Sequence, residues 1–295
     1  MRPVFFSEDW AHTKYYGWDT YYQISGAGGD LKIIKKRTFC ITRYLVLVQG
    51  MSADDISRIL QIKRINPRTS EIMVHDFDDP GAEQKLYLNR TFARCRDDQR
   101  LLNTATFVVG LDRDESMILQ GMSSDYRRKI RKATEQRITV TRKTAPSKAD
   151  VDAFMARLTA MSAQRGLYTP ARSLIDKMFA AGDLLIVSAT QGNEVLTSVL
   201  VYLVESTGFF LYGVGGERRN DGSGPLVHWE IMRELKLRGK LRYDLGGVPM
   251  IDDANGIYRF KKGFGGDFVL LGTQYIYDSP LVRMARALRS SLRRS

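Results

Sequence analysis

The sequence YDLGGV occupies residues 243–248, and YRFKKGFGG follows ten residues later at 258–266. The first segment completes a strand pattern, and its two glycines end that pattern with a turn. We expect Asp244 to brace this turn rather than transfer protons, because aspartate side chains readily accept hydrogen bonds from nearby backbone N–H groups. Few folds need both segments at this spacing, so they are the most informative part of the chain.

Strand and helix patterns alternate through the whole chain. The first third contains strand patterns over 31–36, 42–48 and 71–75 and a helix pattern over 53–62. A strand over 105–111 and a connecting segment over 115–135 lead into the second half. That half contains helix patterns over 148–165 and 225–238 and strand patterns over 183–189, 195–204, 208–214 and 241–245. The alternation predicts an α/β protein, and two modules of similar size indicate an internal structural duplication.

The domain boundary is placed at the connecting segment. We predict a first domain over residues 1–122 and a second over 123–274, which carries the 258–266 segment. Apolar residues of the C-terminal segment recur on one helical face, so we expect a helix within 275–295 that packs back on the first domain.

Composition excludes several classes of protein. The 295 residues are 43% hydrophobic and 26% charged, which excludes disordered and collagen-like chains. The two cysteines and three histidines are not at ligand spacing, so a zinc site and a disulfide scaffold are disfavoured. No apolar run approaches the ~20 residues that span a bilayer, and the N-terminus does not read as a signal peptide. We expect a cytoplasmic protein.

The basic charge is concentrated in the second half. Residues 1–122 carry 17 basic and 16 acidic side chains, whereas residues 123–295 carry 28 and 17. Such a field attracts polyanions such as RNA, nucleotides or an anionic membrane surface, although a merely solvated basic face remains an alternative.

A glycine-rich segment precedes the 225–238 helix. Residues 219–224 read Arg-x-x-Gly-x-Gly, with Arg219, Gly222 and Gly224 as the defining positions. Such a loop presents backbone N–H groups to an anion, and it is similar to the pyrophosphate loop of GNAT acetyltransferases. An ordinary tight turn is an equally good interpretation.

The segments 243–248 and 258–266 together resemble the signature of the FemABX family of aminoacyltransferases. Weaker similarity covers the opening between Trp10 and Trp18, the strand over 43–50 and the YRRKIRKA run at 126–133. The resemblance implies two tandem GNAT-like domains and transfer of an aminoacyl group from aminoacyl-tRNA to an amine. It implies no metal or redox cofactor, with aminoacyl-tRNA as co-substrate. The chain lacks the long helical-hairpin insertion of larger family members.

The resemblance also implies roles for individual residues. Phe260 and Lys261 match the family's Phe-Lys pair, which makes Lys261 the candidate to stabilise the developing oxyanion. Tyr212 matches an active-site tyrosine, and Asp76 matches an aspartate that would accept the amine proton or bind the ammonium. Each residue has an alternative interpretation: Lys261 as an ordinary solvated lysine, Tyr212 as a tyrosine of the core, and Asp76 as an aspartate in a turn.

The predicted acceptor site departs from the family pattern. His12, Pro170 and Leu174 stand where short cell-wall enzymes bind the diphosphate of a UDP-linked muropeptide, and proline and leucine offer no side-chain donor. The nearby Arg165 and Arg172 are possible replacements. The departure favours an acceptor such as a peptidyl or nucleoside natural product, as in antibiotic biosynthesis, while a cell-wall precursor stays open.

Other basic residues are candidates for binding substrates. Arg259 lies beside the Phe-Lys pair. A cluster between residues 127 and 132 is suited to tRNA phosphates: Arg127, Arg128, Lys129, Arg131 and Lys132. The amphipathic segment 281–295 is suited to tRNA, to an anionic membrane surface or to packing on the first domain.

Two other functions remain open. The first is an acyl-CoA-dependent N-acyltransferase, which would use residues 219–224 to bind a CoA thioester. The second is a non-catalytic protein that binds RNA or a membrane surface.

Overall fold

The computed structural model describes residues 20–26, 29–78, 82–96, 100, 103, 105–167, 169–170, 172–215 and 221–292. The chain forms two compact units. The first comprises Met1–Thr104 and Leu270–Ser295, and the second comprises Ala105–Val269.

This division differs from the predicted one at both ends of the second domain. The strand Ala105–Gly110 pairs with Arg242–Val248, so it belongs to the second unit although it precedes residue 122. The strand Thr273–Asp278 pairs with Ser70–Asp76 and therefore belongs to the first unit. Both pairings join segments that are far apart in sequence.

The first unit contains a six-stranded sheet in the order β1-β2-β3-β4-β13-β5. Its strands are β1 (Thr20–Gly26), β2 (Gly29–Thr38), β3 (Ile41–Val48), β4 (Ser70–Asp76), β5 (Ala93–Arg94) and β13 (Thr273–Asp278). Its helices are α1 (Ala53–Ile65), α2 (Ala82–Thr91) and α9 (Pro280–Leu292). Strands β3 and β4 are parallel and are joined by α1.

Helix α1 shows how the first unit forms. Ser52 and Asp55 build a reciprocal capping box at its N-terminus, which satisfies backbone donors that have no partner within the helix. Ile56, Ile59 and Ile62 follow at helical spacing and are buried in the core of this unit.

The second unit contains a seven-stranded sheet in the order β12-β6-β11-β10-β9-β8-β7. Its strands are β6 (Ala105–Gly110), β7 (Thr139–Lys143), β8 (Leu184–Gln191), β9 (Glu194–Val204), β10 (Thr207–Gly215), β11 (Arg242–Val248) and β12 (Asp267–Leu270). Its helices are α3 (Glu115–Gly121), α4 (Ser124–Glu135), α5 (Lys148–Arg165), α6 (Arg172–Ala180), α7 (Ser223–Leu237) and α8 (Gly256–Lys262).

Strands β10 and β11 are parallel but pair over only three residues of each strand. The register runs from Thr207 opposite Arg242 to Phe209 opposite Asp244. Beyond this point β10 continues along β9, whereas β11 continues along β6. The sheet therefore opens between two neighbouring strands, and this opening positions the site described below.

Helix α7 connects β10 to β11 and supplies the centre of the second core. Nearly all of its side chains from Ser223 to Met232 are buried, as expected for a helix that packs against both the sheet and α4. Among the described residues, no helix is both long enough and apolar enough to span a membrane.

Candidate active site

A cavity of about 720 Å³ lies in the second unit where β10 and β11 separate. This volume is typical of a small-molecule site. The lining residues come from both strands and from α4, α5, α7, α8 and β9. They include Lys129, Met161, Arg165, Leu196, Val199, Phe210, Gly213, Gly222, Gly224, His228, Gly247, Ile257, Phe260 and Lys261. The wall is largely apolar, with a few cations and the carboxylate of Asp221.

Lys261 is buried at the wall of this cavity, with 6% of its surface exposed. Its Nζ donates hydrogen bonds to the carbonyl oxygens of Gly246 and Gly247, each at 2.9 Å. The same Nζ lies 5.5 Å from the centre of the Phe210 ring. The two sequence segments singled out above therefore meet, because the lysine of one binds the glycine carbonyls of the other.

Asp244 braces the glycine turn from inside the sheet, as predicted. Its Oδ1 accepts hydrogen bonds from the backbone N–H of Gly246 at 2.8 Å and from Thr106 Oγ1 at 2.5 Å. Burial raises the pKa of the Asp244 carboxyl, while these donors and the charge of Lys261 oppose that rise. The register of β11 against β6 shifts between Asp244 and Gly247, so the braced turn is a bulge.

Gly246 is required at this bulge for two reasons. Its φ of +74° lies in the left-handed region, which residues with a Cβ rarely adopt. A Cβ there would stand 3.0 Å from the carbonyl oxygen of Phe210 and 3.4 Å from Lys261 Nζ. Only glycine lets the strand approach both groups.

His228 lies in an aromatic cluster at the cavity wall. Its ring centre is 5.0 Å from that of Phe210, 5.3 Å from Phe260 and 4.8 Å from Phe264. Its Nδ1 is hydrogen-bonded to the hydroxyl of Tyr243 at 2.8 Å. Burial and the nearby charge of Lys261 lower the pKa of His228 to about 3, so the ring is neutral at physiological pH.

Phe260 is held in place by Tyr126 from α4. The Tyr126 hydroxyl donates a hydrogen bond to the Phe260 carbonyl at 2.9 Å, and the two rings lie 6.0 Å apart. Burial raises the pKa of Tyr126, which keeps this hydroxyl protonated. Sequence analysis missed His228, Tyr126 and Tyr243 as site residues: no motif marks His228, and the motifs that contain Tyr126 and Tyr243 do not indicate their hydrogen bonds.

A second cavity of about 650 Å³ adjoins the first and carries cations. The two cavities share Tyr126, Lys129 and Phe260 in their walls. Arg259 and Lys262 line the second cavity, and both side chains are exposed. The predicted residues Lys261, Phe260, Lys129 and Arg259 are thus brought into one region.

The N-terminus of α7 also reaches the first cavity. Gly222, the N-cap, has a φ of +83°, and a Cβ on it would stand 2.3 Å from the carbonyl oxygen of Lys129. Asp221 Oδ1 accepts the backbone N–H of Ser223 at 2.8 Å, so a carboxylate occupies one backbone donor at this helix end. Gly224 lines the cavity, whereas Arg219 lies outside the described residues.

Tyr212 lies on the face of β10 opposite to Phe210. Phe210 pairs with Val201 of β9, but Tyr212 pairs with Leu200, because the register shifts between them. Neighbouring side chains of a strand point to opposite faces, so the bulge turns Tyr212 away from the face that carries Phe210. The structure does not bring Tyr212 to the cavity with Lys261.

The predicted acceptor residues separate in the structure. Arg165 lines the cavity at the end of α5. Arg172 forms ion pairs with Asp152 and with Asp176, and it is not among the described residues of the cavity wall. Leu174 is buried in the core of the unit. His12 lies outside the described residues.

The basic residues on α4 lie in different environments. Arg127 binds the carbonyl oxygens of Gln120 and Met122, so it holds the end of α3. Lys129 pairs with Asp125 at 2.7 Å and faces the cavity. Three members are exposed on the outer face of the helix: Arg128, Arg131 and Lys132.

Asp76 is fully buried in the first unit at the end of β4. Its carboxylate accepts backbone hydrogen bonds from Gly50 at 3.1 Å, Met51 at 3.2 Å and Asp78 at 3.0 Å. Burial raises its pKa, and the three backbone donors oppose the rise. These contacts brace the turn that follows β3.

The C-terminal helix α9 belongs to the first unit. Its Arg286 forms ion pairs with Glu71 at 3.1 Å and with Asp278 at 3.0 Å. Val282 is buried, whereas Met284 and Leu288 are exposed.

Comparisons with known proteins agree with this architecture. Residues 121–262 match the family model of the acetyltransferase (GNAT) domain. The structure is similar to that of FemX, with a TM-score of 0.72 and 15% identity, covering 97% of this chain and 94% of FemX. No curated protein sequence matches the chain.

Two further solved structures are also similar. One is a conserved protein of unknown function from Bacteroides thetaiotaomicron VPI-5482, with a TM-score of 0.59, 12% identity and coverage of 91% of this chain and 88% of that one. The other is L-PGS from Bacillus licheniformis, with a TM-score of 0.54, 13% identity and coverage of 91% and 88%. The predicted fold of two tandem GNAT-like α/β domains is confirmed. The domain match and the cavity support an acyltransferase.

Proposed function

We propose that this protein transfers an aminoacyl group from aminoacyl-tRNA to an amine and forms an amide in the cavity between β10 and β11. The sequence resemblance to the FemABX family supports the donor, and the GNAT-like fold supports acyl transfer. The observation that carries the proposal is the meeting of Lys261 with the Gly246–Gly247 bulge at the wall of that cavity.

The chemistry requires positive charge near the reacting carbonyl. When an amine attacks an ester, the carbonyl oxygen becomes negatively charged, and a preorganised cation stabilises that charge in a site with little water. Lys261 is held by two carbonyl oxygens in a buried position, so its charge is fixed before the substrate arrives. We assign Lys261 the role of electrostatic stabiliser rather than nucleophile.

The adjoining cavity is suited to the acceptor end of tRNA. Lys129, Arg259 and Lys262 place three cations around it, against the one carboxylate of Asp125, and the phosphates of a single strand release counterions when they meet such groups. Phe260 and Tyr126 lie where the two cavities join and offer aromatic surface for a base. The exposed Arg128, Arg131 and Lys132 would extend this contact along α4.

For the acceptor, we favour an amine without a diphosphate. Leu174 is buried among apolar residues, and Arg172 is already paired with two aspartates. Arg165 lies at the cavity wall, where a cation would meet an anionic group of a peptidyl or nucleoside acceptor. Because the Asp76 carboxylate is engaged with backbone donors in the first unit, we assign it no proton transfer.

An acyl-CoA-dependent N-acyltransferase is the second candidate, favoured by the acetyltransferase-domain match and by the N-terminus of α7 at the cavity. A CoA diphosphate would need the backbone donors of that helix end. The Asp221 carboxylate already accepts the Ser223 N–H there, and its negative charge would repel a diphosphate. This contact supports the tRNA-dependent reaction over the CoA-dependent one.

The test is a transfer assay with purified protein, a pool of radiolabelled aminoacyl-tRNAs and cell-extract amines as acceptors. We expect label in an amide product, and we expect ribonuclease treatment of the donor to abolish it. Acetyl-CoA labelled in the acetyl group is the parallel donor. Label that arrives only from the thioester would reject the proposal and favour the second candidate.

A further inference from the structure

His228 is a neutral histidine whose hydrogen bonding is determined on one side only. Its Nδ1 is paired with the Tyr243 hydroxyl at 2.8 Å, and Tyr243 is fully buried. Among the described residues, the structure assigns no other hydrogen-bond partner to this histidine or to that hydroxyl. The ring itself forms part of the cavity wall.

The tautomer of His228 follows from this pairing. The Tyr243 O–H must donate to Nδ1, because otherwise its proton would be buried without an acceptor, at the cost of an unmade hydrogen bond. Nδ1 is then the acceptor, and the ring proton of the neutral imidazole stands on Nε2. Phe210, Phe260 and Phe264 surround the ring and hold it in this orientation.

We propose that His228 donates a hydrogen bond from Nε2 to the carbonyl oxygen of the acyl donor, with Tyr243 as the residue that positions the proton. The inference rests on the proposed function, because it places the reacting acyl group in this cavity. As the amine attacks, the C–N bond forms and the carbonyl π electrons move to oxygen, which Nε2–H stabilises without transferring its proton. When the carbonyl re-forms, the ester C–O bond of the donor breaks, and the leaving oxygen takes up the proton that the amine gives up. A neutral donor suits this role because it adds no second charge beside Lys261.

The surroundings keep His228 neutral. The charged group that faces it is Lys261 from α8, and the titratable group from β11 is Tyr243. Lys261 and burial both disfavour the imidazolium. Nε2–H therefore remains a donor through the whole range in which the protein would be assayed.

The first test is spectroscopic and needs no substrate. Long-range proton–nitrogen correlation spectra of histidine-labelled protein report which ring nitrogen carries the proton, and His228→Gln identifies the signal. We expect a neutral ring with the proton on Nε2, and a mixture of tautomers in Tyr243→Phe. Tyr44→Phe is the matched control, because that hydroxyl accepts from Asn66 in the first unit. A proton on Nδ1, or an imidazolium at neutral pH, would overturn the proposal.

The second test is kinetic and uses whichever acyl donor the wild-type protein accepts. Loss of one oxyanion donor typically lowers kcat about 10²–10³-fold, so we expect that loss in His228→Leu with KM little changed. His228→Gln keeps an N–H near the position of Nε2, so its kcat should be at least about tenfold higher than that of His228→Leu. Equal kcat in all three folded proteins, or a change in KM alone, would reject the role.

These tests separate the two proposals. If transfer proceeds only from an acyl thioester, the proposed tRNA-dependent function fails, while the same kcat comparison with the thioester still decides the role of His228. If transfer from aminoacyl-tRNA is intact in His228→Leu, the role of His228 fails and the proposed function stands.

Discussion

Replacing Lys261 by methionine should destabilise the second unit. The methionine keeps most of the apolar stem against Phe210 but removes the donor to the Gly246 and Gly247 carbonyl oxygens. Asp244, buried 17 residues earlier in the chain, also loses the positive charge that opposes the rise in its pKa. The variant therefore leaves the Gly247 carbonyl oxygen without this donor, whereas the Gly246 oxygen keeps Thr106 Oγ1 at 2.9 Å.

The size of the effect follows from these contacts. A buried acceptor without its partner costs about 1–3 kcal/mol, and removal of the buried ammonium recovers part of that cost by avoiding its desolvation. We expect a net loss of about 1–3 kcal/mol in the free energy of unfolding. For a unit of this size, each kcal/mol lowers Tm by about 2–4 °C, so Tm should fall by roughly 2–12 °C.

The neighbouring Lys262 provides the matched control. Its side chain is 51% exposed and pairs with Asp253, which is 71% exposed. Exposed ion pairs contribute little to stability, so Lys262→Met should leave the free energy of unfolding nearly unchanged. Calorimetry and urea unfolding of both variants measure the difference. Equal stabilities would refute the bracing role of Lys261.

Three further predictions follow from the same unit. Gly222→Ala should lower the free energy of unfolding by urea by about 1–3 kcal/mol more than Gly239→Ala. Both glycines have positive φ, but only at Gly222 would a Cβ meet the backbone, at 2.3 Å from the Lys129 carbonyl oxygen. Equal losses in the two variants would contradict the packing of α7 on α4. The lowered pKa of His228 means that the unfolded chain binds a proton below about pH 6.5 and the folded chain does not, so wild-type stability should fall by up to about 1.4 kcal/mol per unit as pH drops towards 3. His228→Gln should remove this contribution to the slope. The raised pKa values of buried aspartates change stability with pH in the opposite direction, and they do so equally in wild type and variant. Parallel curves of stability against pH for the two proteins would therefore exclude the lowered pKa of His228. Arg259→Gln should reduce the slope of log affinity for aminoacyl-tRNA against log salt by about 0.7 for a lost phosphate contact, whereas the exposed Lys148→Gln, away from both cavities, should not.

The parts of the site that could be predicted depend on residues that are close together in the sequence. The bulge in YDLGGV and its brace by Asp244 depend on residues two positions apart, so the local sequence indicates them. Lys261 lines the cavity because α8 follows β11 closely in the chain. Local patterns also predict the bounds of α5, because a capping serine precedes the helix and Gly166 ends it.

The parts that could not be predicted depend on pairing between distant segments. Residues 105–110 belong to the second unit because they pair with β11, more than 130 residues later. A one-residue bulge at Phe210 determines which face of the strand Tyr212 occupies, and nothing in the sequence FFLY predicts this shift of register. The pairing of His228 with Tyr243 joins a helix to a strand, so the YDLGGV segment that contains Tyr243 does not indicate its partner.

The structure of the protein with a stable donor analogue tests the central claim most directly. The analogue is a short RNA that ends in adenosine with the amino acid linked through a 3′-amide, which cannot be transferred. We expect the aminoacyl group in the cavity between β10 and β11, its carbonyl oxygen at His228 Nε2, and the adjacent phosphates near Lys129 and Arg259. An empty cavity at saturating analogue, with CoA instead bound by its diphosphate at the N-terminus of α7, would contradict the account.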